Sequence, residues 1–118
     1  MVTVFDAADM AAESAFWAAV LGGRAEQTDD DWTRVYDAQG ERRIAVQLAP
    51  DHVAPEWPDG APQQAHVDLY VEDLKAAHEE VVALGARLLQ AATDLDAAQG
   101  FQVYADPAGH PFCLCWGS

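Results

Sequence analysis

The chain is short of positive charge. Six lysines and arginines stand against twenty aspartates and glutamates, a formal net charge of −14 at neutral pH. Such a surface repels the phosphates of nucleic acids and of anionic membranes, so neither is expected as a partner. The surplus of acid would favour a cationic ligand, but carboxylates in such numbers ordinarily form a solvated face, and they are read that way. Long apolar runs are also missing, since none approaches the ~20 residues of a membrane span. The opening Met1-Val2-Thr3-Val4-Phe5-Asp6 has neither the basic start nor the apolar stretch of an export signal. Cysteine is scarce too. Cys113 and Cys115 lie two apart on one expected strand, a poor geometry for bonding to each other. Two reduced thiols suit a cytoplasmic protein.

What is present suits one compact domain. At 118 residues and 51% apolar, the chain can bury one normal interior and has no room for a second. It reads as two similar halves. Val2 to Phe5 has the look of a strand, and Asp9 is placed to cap a helix that carries Phe16, Trp17, Val20 and Leu21 on one face. Val67, Leu69 and Val71 alternate as a strand does, and Asp73 precedes a helix with Leu74, Ala77, Val81 and Leu84 on one stripe. Each helix ends in glycine, at Gly22-Gly23 and at Gly85. Extended segments and a hairpin follow in both halves, turning at Ala38-Gln39-Gly40 and at Pro107-Ala108-Gly109. A repeated order of elements is the mark of a duplicated unit. The divisions fall at residues 1–49, 50–64 and 65–118. The middle segment has four prolines and no periodicity, and is a connector. Its Trp57 either seals the two halves or lies over a cavity mouth.

Several segments taken together resemble the glyoxalase-like proteins of the vicinal oxygen chelate superfamily. They are Phe16-Trp17-Ala18-Ala19-Val20-Leu21-Gly22, His66-Val67-Asp68-Leu69 with Val71-Glu72-Asp73-Leu74, Leu84-Gly85-Ala86, and Asp106-Pro107-Ala108-Gly109-His110-Pro111-Phe112-Cys113-Leu114. Trp57-Pro58-Asp59 and Pro62-Gln63-Gln64 are similar to a bacterial branch of that group. The resemblance implies an α+β fold of two tandem βαβββ modules, forming an open, cup-shaped mixed sheet with helices packed outside. It also implies a site shape without fixing its chemistry, because the superfamily holds metal-dependent isomerases, ring-cleaving dioxygenases and metal-free proteins that sequester antibiotics such as bleomycin.

The resemblance further implies where metal ligands would stand. The four positions fall at Val2, Gln47, His66 and Cys113. Valine cannot ligate and an amide ligates weakly, so no metal cofactor is expected; a divalent metal, were one bound, would draw on His66, Gln47 and Cys113. Without carboxylates at these positions the proton abstraction of a true glyoxalase I is not expected.

Strand alternation places His66, Asp68 and Tyr70 on the cup side, with Cys113, Cys115, Ala45 and Gln47. Phe112, Leu114 and Trp116 are expected to pack on the helices. His66 and Asp68 are two apart, about 6.5–7 Å between Cα atoms, and their side chains can meet. A carboxylate beside an imidazole orients the ring for service as a general base or as an anchor. His66 and Asp68 are therefore the candidate catalytic pair, and Gln47, Tyr70, Cys113 and Trp57 the candidate ligand-binding residues. His52, His78 and His110 are read as surface residues and Asp106 as the organiser of its turn. Three functions remain open. One is metal-free binding of a small organic molecule in the cup; the second is a lyase, isomerase or dioxygenase that uses His66 with or without a metal; the third is an inert regulatory or dimerisation module, with the cup filled by side chains. The resemblance also suggests a homodimer.

Overall fold

The structure, a computed structural model, describes residues 1–61 and 65–117. Pro62, Gln63 and Gln64, at the end of the expected connector, and Ser118 lie outside the described residues. The chain divides into two compact units, Met1–Val53 and Ala54–Ser118, with the boundary inside the proline-rich connector.

The first unit runs β1 (Thr3–Ala7), α1 (Met10–Val20), β2 (Arg24–Asp29), β3 (Trp32–Tyr36) and β4 (Arg42–Leu48). Its sheet has the order β1-β4-β3-β2, with β1 and β4 parallel and the other pairs antiparallel. The second unit repeats this pattern with β5 (Val67–Tyr70), α2 (Leu74–Ala83), β6 (Arg87–Gln90), β7 (Gly100–Ala105) and β8 (Pro111–Trp116). Its order, β5-β8-β7-β6, is the same permutation with the same parallel pair. Two α+β modules of βαβββ form are thus present, as expected. Among the described residues, no helix is long and apolar enough to cross a membrane.

The helices begin where the aspartates dictate. Asp9 accepts a hydrogen bond from the Ala12 amide at 3.0 Å, and Asp73 accepts one from the Ala76 amide at 3.1 Å. Each supplies a partner to an amide that the first turn leaves bare. Helix α1 buries Phe16 and Trp17 against the sheet, their rings edge to face at 5.2 Å, and Trp17 meets Phe5 of β1 at 5.5 Å. The fully buried Glu13 accepts from the Trp17 indole at 3.3 Å. In the second unit Val81 is the buried residue of α2, and the sheet beneath stacks Tyr104 on Phe112 at 5.5 Å.

The two long hairpins close alike. The backbone amides of Asp37 and Asp106 each donate to the carbonyl of the residue four further on, Glu41 and His110. Gly40 and Gly109 take positive φ angles of 82° and 91°, which other residues adopt at a cost. The carboxylates fill the turns: Asp37 accepts from the amides of Gln39 and Glu41, and Asp106 from that of His110 at 2.7 Å. Asp106 therefore organises its turn as the sequence suggested. Asp37 also receives Arg43 Nε at 2.8 Å. That bond, followed by the Glu41 amide, holds the Asp37 carboxyl below the ordinary aspartate value. A depressed carboxyl contributes stability that is present above its unfolded pKa and is lost as pH falls through the folded one. The stability gap between the wild type and Asp37→Asn should therefore be widest near neutrality and close below about pH 4. Urea unfolding across the acid range measures it, and a gap unchanged by pH would contradict the assignment.

Candidate functional site

Strand β5 has the two-residue period of a half-buried strand. Val67 and Leu69 are half-buried, whereas Asp68 and Tyr70 are exposed and share a side with His66, which directly precedes the strand. Pairing sets Asp68 beside Cys113 and Tyr70 beside Cys115 on β8, and sets Cys113 and Cys115 beside Val103 and Phe101 on β7. The central strand thus shows this face only Pro111 and two cysteines, all modest in volume. Larger side chains stand around them. The result is a cavity of about 710 Å³ with Trp57, Tyr70, Phe101 and Trp116 among its walls and His66, Asp68 and the two cysteines in its lining. Trp57, together with Leu89, packs against Val103, Cys113 and Cys115.

Polar chemistry converges at one end of this cavity. His66 Nε2 lies 3.3 Å from Asp68 Oδ1, the pairing expected from their spacing. Both side chains are 44% exposed, so water screens the pair and its worth lies in orientation more than in stability. Cys113 is hydrogen-bonded to Asp68. Its thiol is pushed up to about 12, first by burial and then by the negative charge of Asp68, and Cys115 is raised by the same two causes. At neutral pH both cysteines are therefore thiols, neither in a disulfide, and poor nucleophiles.

The ligand atoms of His66, Asp68 and Cys113 all lie within 4.8 Å of one another. An imidazole, a carboxylate and a sulfur so close together are a donor set that fits a borderline-soft divalent ion such as zinc, with one position left over. Asp68 completes this cluster beside His66 and Cys113. Gln47, the amide expected in that role, sits exposed in the first unit on β4, paired with Asp6 of β1 and Trp32 of β3.

Four residues depart from their expected places. Trp116 was expected to pack on the helices, but it is only half-buried and its indole donates to the Ala97 carbonyl at 2.9 Å. It can lie there because Gly100 opposite has no side chain: a Cβ at that position would come within 2.5 Å of the indole ring. His78, read as a surface residue, is half-buried with Nδ1 2.7 Å from the Tyr104 hydroxyl. His52 and His110 are also half-buried. Phe101 and Val103 were not singled out from the sequence. Their alternation against the cysteine strand was a signal, but it needed the β7–β8 register to be used.

Two outcomes follow. Iodoacetamide should label Cys113 far more slowly than free cysteine near neutral pH, and Asp68→Asn should speed it by lowering the thiol; peptide mapping by mass spectrometry reads both rates, and equal rates would remove Asp68 as a cause. Gly100→Ala should cost roughly 1–3 kcal/mol through overpacking against Trp116. An unchanged denaturation midpoint would mean the indole moves aside freely.

A family model described as a glyoxalase-like domain matches residues 2–115. No curated protein matches the chain in sequence. Among solved structures, a glyoxalase/bleomycin resistance protein from Catenulispora acidiphila is 17% identical, with 100% of this chain and 97% of that one covered and a TM-score of 0.65. The fosfomycin resistance protein FosX from Listeria monocytogenes is 13% identical over 100% and 92%, with a TM-score of 0.74. A glyoxalase/bleomycin resistance protein/dioxygenase family enzyme from Burkholderia phytofirmans is 16% identical over 99% and 97%, at 0.71. At these identities the likeness concerns the fold.

Proposed function

The chain belongs to the glyoxalase-like domain family, and on that premise we propose that its second unit binds a small organic molecule without a metal. One observation carries the reading: the His66–Asp68 pair opens on a cavity with Trp57, Tyr70, Phe101 and Trp116 in its walls. Aromatic faces take up the planar, apolar part of a ligand, and a few polar groups fix its orientation. His66 and Asp68 are those groups, the imidazole held in place by the carboxylate. Asp68 is already engaged by His66 and by the Cys113 thiol, so the cluster needs no ion to be satisfied. Two of the similar structures are named for resistance, to bleomycin and to fosfomycin. Capture of a foreign small molecule agrees with that company. A homodimer belongs to the same proposal as its assembly.

The donor set favours a second reading, a metal-dependent lyase, isomerase or dioxygenase using His66. There His66, Asp68 and Cys113 would hold the ion, and the ion would supply polarisation of a ligand oxygen.

Elemental analysis of protein purified without chelator separates the two. The binding reading expects metal well below stoichiometric. Metal near one equivalent that vanishes in His66→Ala would replace it with the second. Thermal shift of the metal-free protein against a panel of aromatic compounds then tests binding directly, since a ligand of the folded form raises its melting temperature. Stabilising compounds should lose their effect in His66→Ala and in Trp57→Ala. A panel without one stabilising compound would count against the cavity as a binding site.

A further inference from the structure

The opposite face of the second sheet carries another cavity, of about 670 Å³. Leu74 and His78 of α2, Leu88 of β6, Leu95 and Ala97 of the loop before β7, and Trp116 of β8 are in its lining, together with Gln102. Leu88 and Leu95 are large apolar side chains left 42% and 64% exposed at this place. Exposed apolar surface gathered around a concavity, rather than scattered, is the pattern of a binding site.

Beneath it runs a chain of hydrogen bonds, its middle member buried, whose direction is fixed from one end. The Ala92 amide can only donate, and it donates to Gln102 Oε1 at 3.0 Å. The Gln102 amide is thereby oriented, and its Nε2 donates to the Tyr104 hydroxyl at 2.8 Å. Tyr104 is wholly buried, so its own proton needs an acceptor, and His78 Nδ1 lies 2.7 Å away. Leaving that proton unpaired would cost the desolvation of a buried donor. His78 Nδ1 therefore accepts, and in the neutral ring the hydrogen resides on Nε2. A backbone amide on one side of the sheet edge has set the tautomer of a histidine that lines a cavity.

We infer that this helix-side cavity is a second ligand site, for a neutral apolar molecule bearing one carbonyl-type hydrogen-bond acceptor, received by His78 Nε2–H. The charges disfavour an anion, and the apolar lining favours an uncharged ligand. Glu72, Asp73 and Lys75 all line the cavity, one cation against two anions, on a chain with a net charge of −14. An anionic ligand meets net repulsion, and Asp73 is occupied in capping α2. This site shares the Trp116 ring with the one around His66, but neither His66 nor Asp68.

Acetophenone is a suitable probe, with isopropylbenzene as its counterpart of the same shape lacking the acceptor. Two-bond proton–nitrogen correlation of His78, recorded at alkaline pH, should show hydrogen on Nε2 and none on Nδ1. Titrating acetophenone should shift the Nε2 resonance and the amides near Leu74, Leu88 and Leu95. Isopropylbenzene should bind roughly fivefold more weakly, the worth of one net hydrogen bond. His78→Phe should weaken acetophenone by a similar factor. Leu95→Asp, a change at an exposed rim that folding tolerates, should abolish binding, and Arg42→Ala, at an exposed position on β4 of the first unit, should leave it unchanged. His66→Ala, which disables the first site, should also leave it unchanged, so the two proposals fail separately. The inference is overturned by hydrogen on Nδ1, by shifts confined to residues around His66, by equal binding of the two probes or of His78→Phe, or by no shift up to the solubility of acetophenone.

Discussion

Everything distinctive in the second unit depends on the two-residue period of β8. The strand lies between β5 and β7, and its alternate side chains serve opposite faces of the sheet. Phe112 and Leu114 are fully buried and form the floor on which α2 rests. Cys113 and Cys115 face the other way, and their small volume allows a cavity to exist above a central strand at all. A shift of register by one residue would put phenylalanine and leucine into that space and cysteines under the helix. Both the packing and the site would be lost together. The His66–Asp68–Cys113 cluster depends on the same register, because Asp68 meets Cys113 only through the parallel β5–β8 pairing.

Duplication explains the resemblance of the two units, and their differences show where each has been put to use. Both helices start from an aspartate cap, and both hairpins close on an aspartate with a glycine three residues later. These are backbone requirements, and they recur because the backbone recurs. The side chains around them diverge. Both turn aspartates are buried and bonded to their own loops, and Asp37 in addition holds the exposed Arg43. The first helix buries two aromatic rings and a glutamate. The second buries a single valine, so the sheet beneath it relies on Tyr104 and Phe112, and part of the space under its first turns stays open.

Local rules made much of this legible in the sequence. Caps, glycine stops, turns and strand alternation act over four or five residues, so Asp9, Asp73, Asp106 and the facing of His66, Asp68 and Tyr70 could be read directly. The pairing of His66 with Asp68 followed from spacing alone. What was not legible depended on residues distant in the chain. Trp116 has the parity of a helix-facing residue, and only the absence of a side chain at Gly100, sixteen positions earlier, lets its ring lie across the strand. His78 looked like an outer-helix residue, because its partner Tyr104 is twenty-six residues away and the facing of that tyrosine could not be fixed. Asp68, two residues from His66, was not read from the sequence as a possible donor. The family pattern drew attention to Gln47 and away from the neighbour.

The indole of Trp116 stands in the walls of both cavities, pinned by one hydrogen bond and resting over a bare glycine. It is a partition with space on either side. Any occupant that tilts the ring reshapes the chamber behind it, and the free energy of that tilt belongs to both chambers at once. Thermodynamic reciprocity then requires the influence to run equally in each direction. A single aromatic plate would thus make the two faces of this sheet audible to each other.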